Sequence, residues 1–143
     1  KDLGLAVKLD TNGSNPAVLK ELITEGLLDY VAMDIKHSRA KYASVACCAS
    51  FNLDDIAESV DFLKEGHVDY EFRTTLVKEM HREADMTAIG MWLMGAKAYY
   101  LQPYRDSDTV ICPGYHAHSR EELDTFVKIL SAFLPKGELR GDI

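Results

Sequence analysis

Three cysteines in 143 residues (Cys47, Cys48 and Cys112) are too few and too irregularly placed for a disulfide framework. No C-x-x-C spacing occurs, so the chain offers neither a zinc site nor an iron–sulfur loop of its own, and the three read as free thiols of a reducing compartment. No apolar run approaches the roughly 20 residues that cross a bilayer, and the first residues lack the charged, apolar and small-residue order of a signal peptide. No membrane association is expected, and the location expected is cytoplasmic. Basic residues are outnumbered, with 16 Lys and Arg against 23 Asp and Glu for a net charge of −7. No basic run or aromatic–basic interleaving occurs, so nucleic acid is not an expected ligand. Prolines are also few, at 4, and a hydrophobic content of 47% is ordinary for a folded protein. Residues 1–143 therefore read as one domain with one sizeable core. The chain opens at Lys1 without methionine and reaches a strand within a few residues, which suggests a fragment of something longer.

What the chain does have is a repeated alternation of apolar runs ending in polar residues with amphipathic stretches. Leu5 to Leu9 reads as a strand that breaks into Asp10, Thr11, Asn12 and Gly13. Pro16 then opens a helix capped by Asn15, with Val18, Leu19, Leu22 and Ile23 as its apolar stripe and Gly26 as its stop. Asp29 to Lys36 is a second strand, with Asp34 and Lys36 on one alternating face. His37 to Ser50 reads as an Ala-rich, partly helical connection with Tyr42 and Val45 inward. Asn52 caps a helix carrying Asp54 and Asp55 in its first turn and Leu53, Ile56, Val60 and Leu63 inward. Val68 to Val77 is a third strand, with Glu71, Arg73 and Thr75 sharing one face. A helix over Glu83 to Met94 turns Met86, Ile89, Leu93 and Trp92 inward, with Met91 and Met94 also assigned to packing. Lys97 to Tyr104 is a fourth strand, and Asp106 to His118 is a loop across one end of the sheet. Ser119 and Glu122 form a capping box opening a last helix with Leu123, Phe126, Val127 and Leu130 inward, and Gly137 to Gly141 is a candidate short strand. This β-α-β-α-β-α-β-α order implies parallel strands, right-handed crossovers and outer helices, with too few strands to close a barrel.

Every strand finishes in polar groups: Asp10, Thr11 and Asn12; Asp34 and Lys36; Arg73 and Thr75; Gln102 and Arg105. In a parallel sheet these ends lie side by side, at the edge where ligands bind. Two readings are open. Asp34, Lys36 and Arg73 neutralise one another as a layer inside a barrel, because an unpaired buried charge is costly. Alternatively, they hold a ligand with several polar groups, such as a nucleoside carrying an amino-acid moiety. Convergence of all four strands at one end favours the ligand. Lys36 alone also admits a Schiff-base role of the aldolase kind. His116 and His118 beside Cys112 admit a metal site, with a polar surface loop as the plainer reading. No catalytic or metal-ligating residue is assigned.

Leu9-Asp-Thr-Asn-Gly13 followed by Pro16, then Asp29-Tyr-Val-Ala-Met-Asp-Ile-Lys36, Tyr70-Glu-Phe-Arg-Thr-Thr75 and Leu101-Gln102 together resemble a known family. It is that of the radical S-adenosylmethionine activating proteins of anaerobic ribonucleoside-triphosphate reductase, and Gly137-Glu-Leu-Arg-Gly141 resembles that family's tail. The D-T-N-G and D-x-K motifs are shared with the pyruvate formate-lyase activating enzymes, whereas A-M-D-I-K and E-F-R-T-T lean toward the reductase group. The resemblance implies an α/β fold, a partial (β/α) barrel of the radical SAM type, with this chain as its parallel strands three to six and their outer helices. The family's C-x-x-x-C-x-x-C cluster loop and Gly-Gly-Glu segment have no match here. That absence implies a carboxyl-terminal part that cannot assemble a 4Fe-4S cluster and is inactive alone.

For the whole protein the resemblance implies a one-electron cleavage of S-adenosyl-L-methionine to a 5′-deoxyadenosyl radical. That radical takes hydrogen from a glycine of a partner glycyl-radical enzyme, with an electron donor such as flavodoxin. Carried over by motif, Asp10, Thr11 and Asn12 contact the cofactor near its ribose and methionine parts, Asp34, Lys36 and Arg73 orient its polar groups, and Gln102 with Arg105 sit near the adenine. Lys36 and Arg73 suit its carboxylate. The alternatives are an activase of the pyruvate formate-lyase type, or a non-catalytic module docking its partner through the open strand edge at Leu5 to Leu9.

Overall fold

The computed structural model describes residues 3–42, 52–104, 116–134 and 137–140. Among them, strands β1 (Lys8–Thr11), β2 (Tyr30–Asp34), β3 (Asp69–Leu76), β4 (Tyr99–Pro103) and β5 (Gly137–Leu139) form one sheet in the order β1-β2-β3-β4-β5. Every neighbouring pair is parallel. Helices α1 (Pro16–Thr24), α2 (Leu53–Lys64), α3 (Glu83–Leu93) and α4 (Arg120–Ser131) fall between successive strands, and a single 3-10 turn spans Arg39–Lys41. When spatial order equals chain order, right-handed crossovers place every helix on the same side of the sheet. The expected α/β architecture is therefore present, and the candidate strand at Gly137 adds a fifth member to the four counted from sequence.

Register fixes what each face carries, because parallel partners point the same way. On the helix side, Val31, Met33 and Ile35 of the β2 segment line up with Tyr70, Phe72 and Leu76 of β3 and with Tyr99 and Leu101 of β4. They are buried in one cluster with Leu19, Ile56, Val60, Leu63, Met86, Ile89, Leu93, Leu123, Phe126 and Leu130 of the helices. The other face bears Asp10, Tyr30, Asp34, Glu71, Arg73, Thr75, Tyr100 and Gln102, and among the described residues no helix lies over it. A hydroxyl chain stiffens the helix side: Tyr99 Oη donates to Thr74 Oγ1 at 2.5 Å, and Thr74 Oγ1 donates to the Ile35 carbonyl at 2.6 Å.

The helix caps follow the sequence. Asn15 Oδ1 accepts from the Val18 amide at 3.2 Å, Asn52 Oδ1 from Asp54 at 2.9 Å, and Ser119 with Glu122 closes a capping box. Three expectations differ. β1 begins at Lys8 rather than Leu5, because backbone pairing with the β2 side starts only where the Val7 carbonyl accepts from the Asp29 amide; Leu5 is left 64% exposed. Val18 is exposed, since Pro16, Leu19 and Ile23 form the buried stripe of α1. Met91 and Met94 are also exposed; only Met86 of the three methionines packs, because it shares a helix face with Ile89 and Leu93. Val45, the three cysteines and Arg105 lie outside the described residues.

Candidate functional site at the strand ends

The turn leaving β1 is built by its own side chains. Thr11 Oγ1 accepts from the Gly13 amide at 3.0 Å, and Asn12 Oδ1 accepts from the Ser14 amide at 2.9 Å. Gly13 then takes a φ of +74°, and its carbonyl accepts from Ser59 Oγ at 2.8 Å. A Cβ there would run into the end of the Met33 side chain and come within 3.4 Å of Ser59 Cβ. Gly13→Ala is expected to destabilise the protein by about 2 kcal/mol, from left-handed backbone strain plus overpacking. Urea unfolding measures it, and an unchanged midpoint would show that the turn relaxes freely.

Above this turn, on the open face, one arginine gathers the charges. Arg73 Nε donates to Asp34 Oδ1 at 2.8 Å, Arg73 Nη2 lies 3.6 Å from Asp10 Oδ2, and Lys36 Nζ lies 4.0 Å from Asp34 Oδ2. Asp34 and Arg73 are direct register partners, whereas Asp10 reaches across from β1, two strands away. Burial works against the Arg73 guanidinium, yet Asp34, Asp10 and Glu71 outweigh it and hold its pKa above the ordinary value. The Arg73 side chain is 16% exposed, while those of Lys36 and Asp10 are 50% and 61% exposed. The fixed charge is thus inside and the available charges are at the rim.

Two residues back along β3 lies a different layer. Glu71, 3% exposed, accepts from Tyr30 Oη at 2.9 Å and from Arg140 Nη1 at 2.7 Å. Arg140 in turn lies over the Tyr100 ring at 3.6 Å. Burial and the Glu71 bond push the Tyr30 hydroxyl up to about 12, so it remains a donor. This Glu71 layer is closed upon itself and forms a floor; the mutual-neutralisation reading concerns Asp34, Lys36 and Arg73, which pair with one another while Lys36 stays half exposed at the rim. Arg140→Met is expected to destabilise by about 2 kcal/mol, because it strips the charged partner from a buried carboxylate. Thermal unfolding at neutral pH measures the loss, and no loss would mean that water replaces the guanidinium.

Of the sequence-selected residues, Asp10, Asp34, Lys36 and Arg73 converge. Thr11 is in register with Met33, toward the helix side, and its hydroxyl serves the turn; Asn12 does the same work one residue on. Gln102 is the register partner of Thr75 on the open face, and Arg105 lies outside the described residues. The floor of Glu71, Tyr30, Tyr100 and Arg140 was missed as a unit, although the alternation that selects Arg73 also selects Glu71. The Lys36 ammonium is half exposed beside a carboxylate, the opposite of the desolvated setting that activates a Schiff-base lysine. His118 corrects the surface-loop reading: it is 6% exposed, donates Nε2–H to the His81 carbonyl at 2.8 Å, and packs edge-on to Phe126. His116 pairs with Glu79 at 2.9 Å. Among the described residues no three His, Cys, Asp or Glu side chains gather to hold a metal ion, and no helix is long and apolar enough to cross a membrane.

An open, all-parallel five-stranded α/β sheet with its charges gathered at the carboxyl ends defines the architectural class. A solved domain of pyruvate-formate lyase-activating enzyme from Bacteroides vulgatus ATCC 8482 has this same fold: it superposes with a TM-score of 0.77 over 98% of this chain and 84% of that one, at 16% identity. In sequence, the chain is 34% identical over 111 residues to a protein of Methanocaldococcus jannaschii, itself assigned by inference as a glycyl-radical enzyme activating enzyme. That match takes in 76% of this chain and 46% of the other protein, so the chain spans about half the length of the curated relative it matches. No family model matches the sequence.

Proposed function

We propose that this chain is the carboxyl-terminal part of a radical S-adenosylmethionine activase that installs a glycyl radical on anaerobic ribonucleoside-triphosphate reductase. The observation that carries the proposal is Arg73, midway along β3, locked between Asp34 and Asp10 at the carboxyl ends of β2 and β1, with Lys36 alongside. Alternating fixed cations and carboxylates suit a zwitterionic amino-acid group. Arg73 and Lys36 receive its carboxylate, and the outward carboxylates of Asp10 and Asp34 receive its ammonium. When bound, S-adenosylmethionine supplies a 5′-deoxyadenosyl group that one-electron reduction of the sulfonium releases for hydrogen abstraction. The chain's own groups hold and orient: the Thr11–Asn12 turn fixes where Asp10 stands, and the Glu71 floor limits how deep a ligand descends. Gln102 offers amide hydrogen bonds to the adenine, as Arg105 does in the family resemblance.

A 4Fe-4S cluster does not fit the residues present, since Cys47, Cys48 and Cys112 are not spaced as a three-cysteine cluster loop. No step is assigned to it on this chain. The partner is a glycyl-radical enzyme, and an electron donor such as flavodoxin is required with it. A pyruvate formate-lyase type of activase is equally consistent with the comparisons; the A-M-D-I-K and E-F-R-T-T wording favours the reductase.

The test is anaerobic incubation of the full-length protein with reductant and S-adenosylmethionine, with each candidate partner in turn. Electron paramagnetic resonance detects the protein radical and chromatography detects 5′-deoxyadenosine. Radical formation on the reductase is expected. Radical formation on pyruvate formate-lyase alone would reassign the partner, and no 5′-deoxyadenosine under any condition would overturn the proposal.

A further inference from the structure

Immediately behind the strand ends lie three buried imidazoles that the site above does not use. His37 and His81 are 1% and 2% exposed and stack with centroids 4.6 Å apart at 15°. His81 Nδ1 accepts from the Val77 amide at 3.1 Å, so its proton sits on Nε2, which donates to the Lys36 carbonyl at 2.9 Å. His37 is the mirror of this arrangement: Nδ1 accepts from the Ser38 amide at 2.7 Å, and Nε2–H donates to the Met80 carbonyl at 2.8 Å. The two rings therefore stitch the segment after β2 to the segment after β3 in both directions, and His118 adds a third stitch to the His81 carbonyl. With all three Nε2 atoms committed to carbonyls, the group is not arranged as a metal site.

Lys36 is where this matters. The sheet ladder ends before it: β2 stops at Asp34, and the Ile35 amide and carbonyl are taken by the Arg73 carbonyl and Thr74 hydroxyl. Among the described residues, the Lys36 backbone is held by two side chains, its amide donating to Tyr42 Oη at 3.2 Å and its carbonyl accepting from His81. Its ammonium stands half exposed at the rim of the open face. We propose that His81 is a positioning residue for Lys36: by gripping the Lys36 carbonyl from the β3–α3 turn, it aims the lysine at the carboxylate of the bound ligand. This rests on the proposed S-adenosylmethionine site.

The two ring nitrogens separate this role from a merely structural one. His81→Gln places an amide donor near the Nε2 position and gives up the contact with the Val77 amide. His81→Asn does the reverse, retaining an acceptor for Val77 and falling short of Lys36. The probe is S-adenosyl-L-methionine itself, titrated calorimetrically into the intact protein, with near-ultraviolet circular dichroism confirming that each variant is folded. Binding by His81→Gln is expected to stay within about threefold of the parent, while His81→Asn weakens it about tenfold. In a Lys36→Met background the Asn substitution is expected to add no further loss, since two residues acting through one contact are not additive. Equal binding by parent and His81→Asn would overturn the inference. So would a Gln variant as weak as the Asn variant, or a full tenfold loss persisting without the lysine. No saturable binding by the parent would instead overturn the proposed function, and this inference with it.

Discussion

Arg73→Met is expected to weaken S-adenosylmethionine binding about 100-fold, equivalent to about 2.7 kcal/mol, the largest single effect on ligand affinity in the molecule. The guanidinium touches carboxylates from two other strands, so its loss frees Asp34 and Asp10 together and leaves their negative charge facing a ligand carboxylate. Folding should suffer little. Asp34 and Asp10 are 38% and 61% exposed, so water takes up their charge and the stability cost is about 1 kcal/mol or less. Arg73→Lys should recover only part of the affinity, because an ammonium cannot bridge two carboxylates at 2.8 and 3.6 Å as a planar fork does. Titration calorimetry paired with urea unfolding separates the two effects. A variant that binds normally would mean that Asp34, Lys36 and Arg73 only neutralise one another.

The second large effect is on stability against acid. Burial, with the neighbouring His37 and His118 rings adding to it, holds the His81 pKa down at about 4 against 6.5 for a free imidazole; the backbone contacts at Lys36 and Val77 oppose the shift without cancelling it. A depressed histidine keeps its stabilising contribution while both states are neutral, above pH 6.5. As the pH falls from 6.5 towards 4 the unfolded chain takes up a proton that the folded protein refuses, and stability drops. The full loss is on the order of 3 kcal/mol. Asp85 faces the same cluster: burial raises its carboxyl, but Lys41, the Arg82 amide and His37 together bring it below the usual range, so its own contribution fades at lower pH than that of His81. The difference in unfolding free energy between the parent and His81→Gln, followed from pH 7 to pH 4.5, isolates the imidazole. It should shrink steadily over that window. A difference that stays constant would mean that His81 titrates as it does in the unfolded chain.

Much of this was readable in the sequence because it depends on local rules. The caps at Asn15, Asn52 and Ser119 are single-residue chemistry, and α2 and α4 declare their buried faces by spacing alone. The convergence of Asp10, Asp34, Lys36 and Arg73 also follows locally, from alternation within each strand plus parallel pairing. What could not be read depends on contacts distant in sequence. Glu71 becomes a floor only because Arg140, 69 residues further on, folds over Tyr100 to reach it. His118 looks like loop histidine by composition, and only the approach of α4 to the β3–α3 turn buries it against Phe126 and the His81 carbonyl. Thr11 and Asn12 have a use that polarity alone does not disclose: both side-chain oxygens accept from amides of the Gly13–Ser14 turn, beside the cofactor contact that the family resemblance implies. Leu5 was placed in a strand by its apolarity, yet pairing begins where a partner backbone is available.

The claim on which the rest depends is that the charged ends of β1, β2 and β3 form one ligand site on the open face. Hydrogen–deuterium exchange of the intact protein, with and without saturating S-adenosyl-L-methionine under anaerobic conditions, tests it most directly. Slowed exchange is expected in three separate segments, Thr11–Ser14, Ile35–Ser38 and Thr74–Val77, with α1, α2 and the outer surface of α4 unchanged. Exchange that is unaltered in those three segments, or protection confined to the helix side of the sheet, would contradict it.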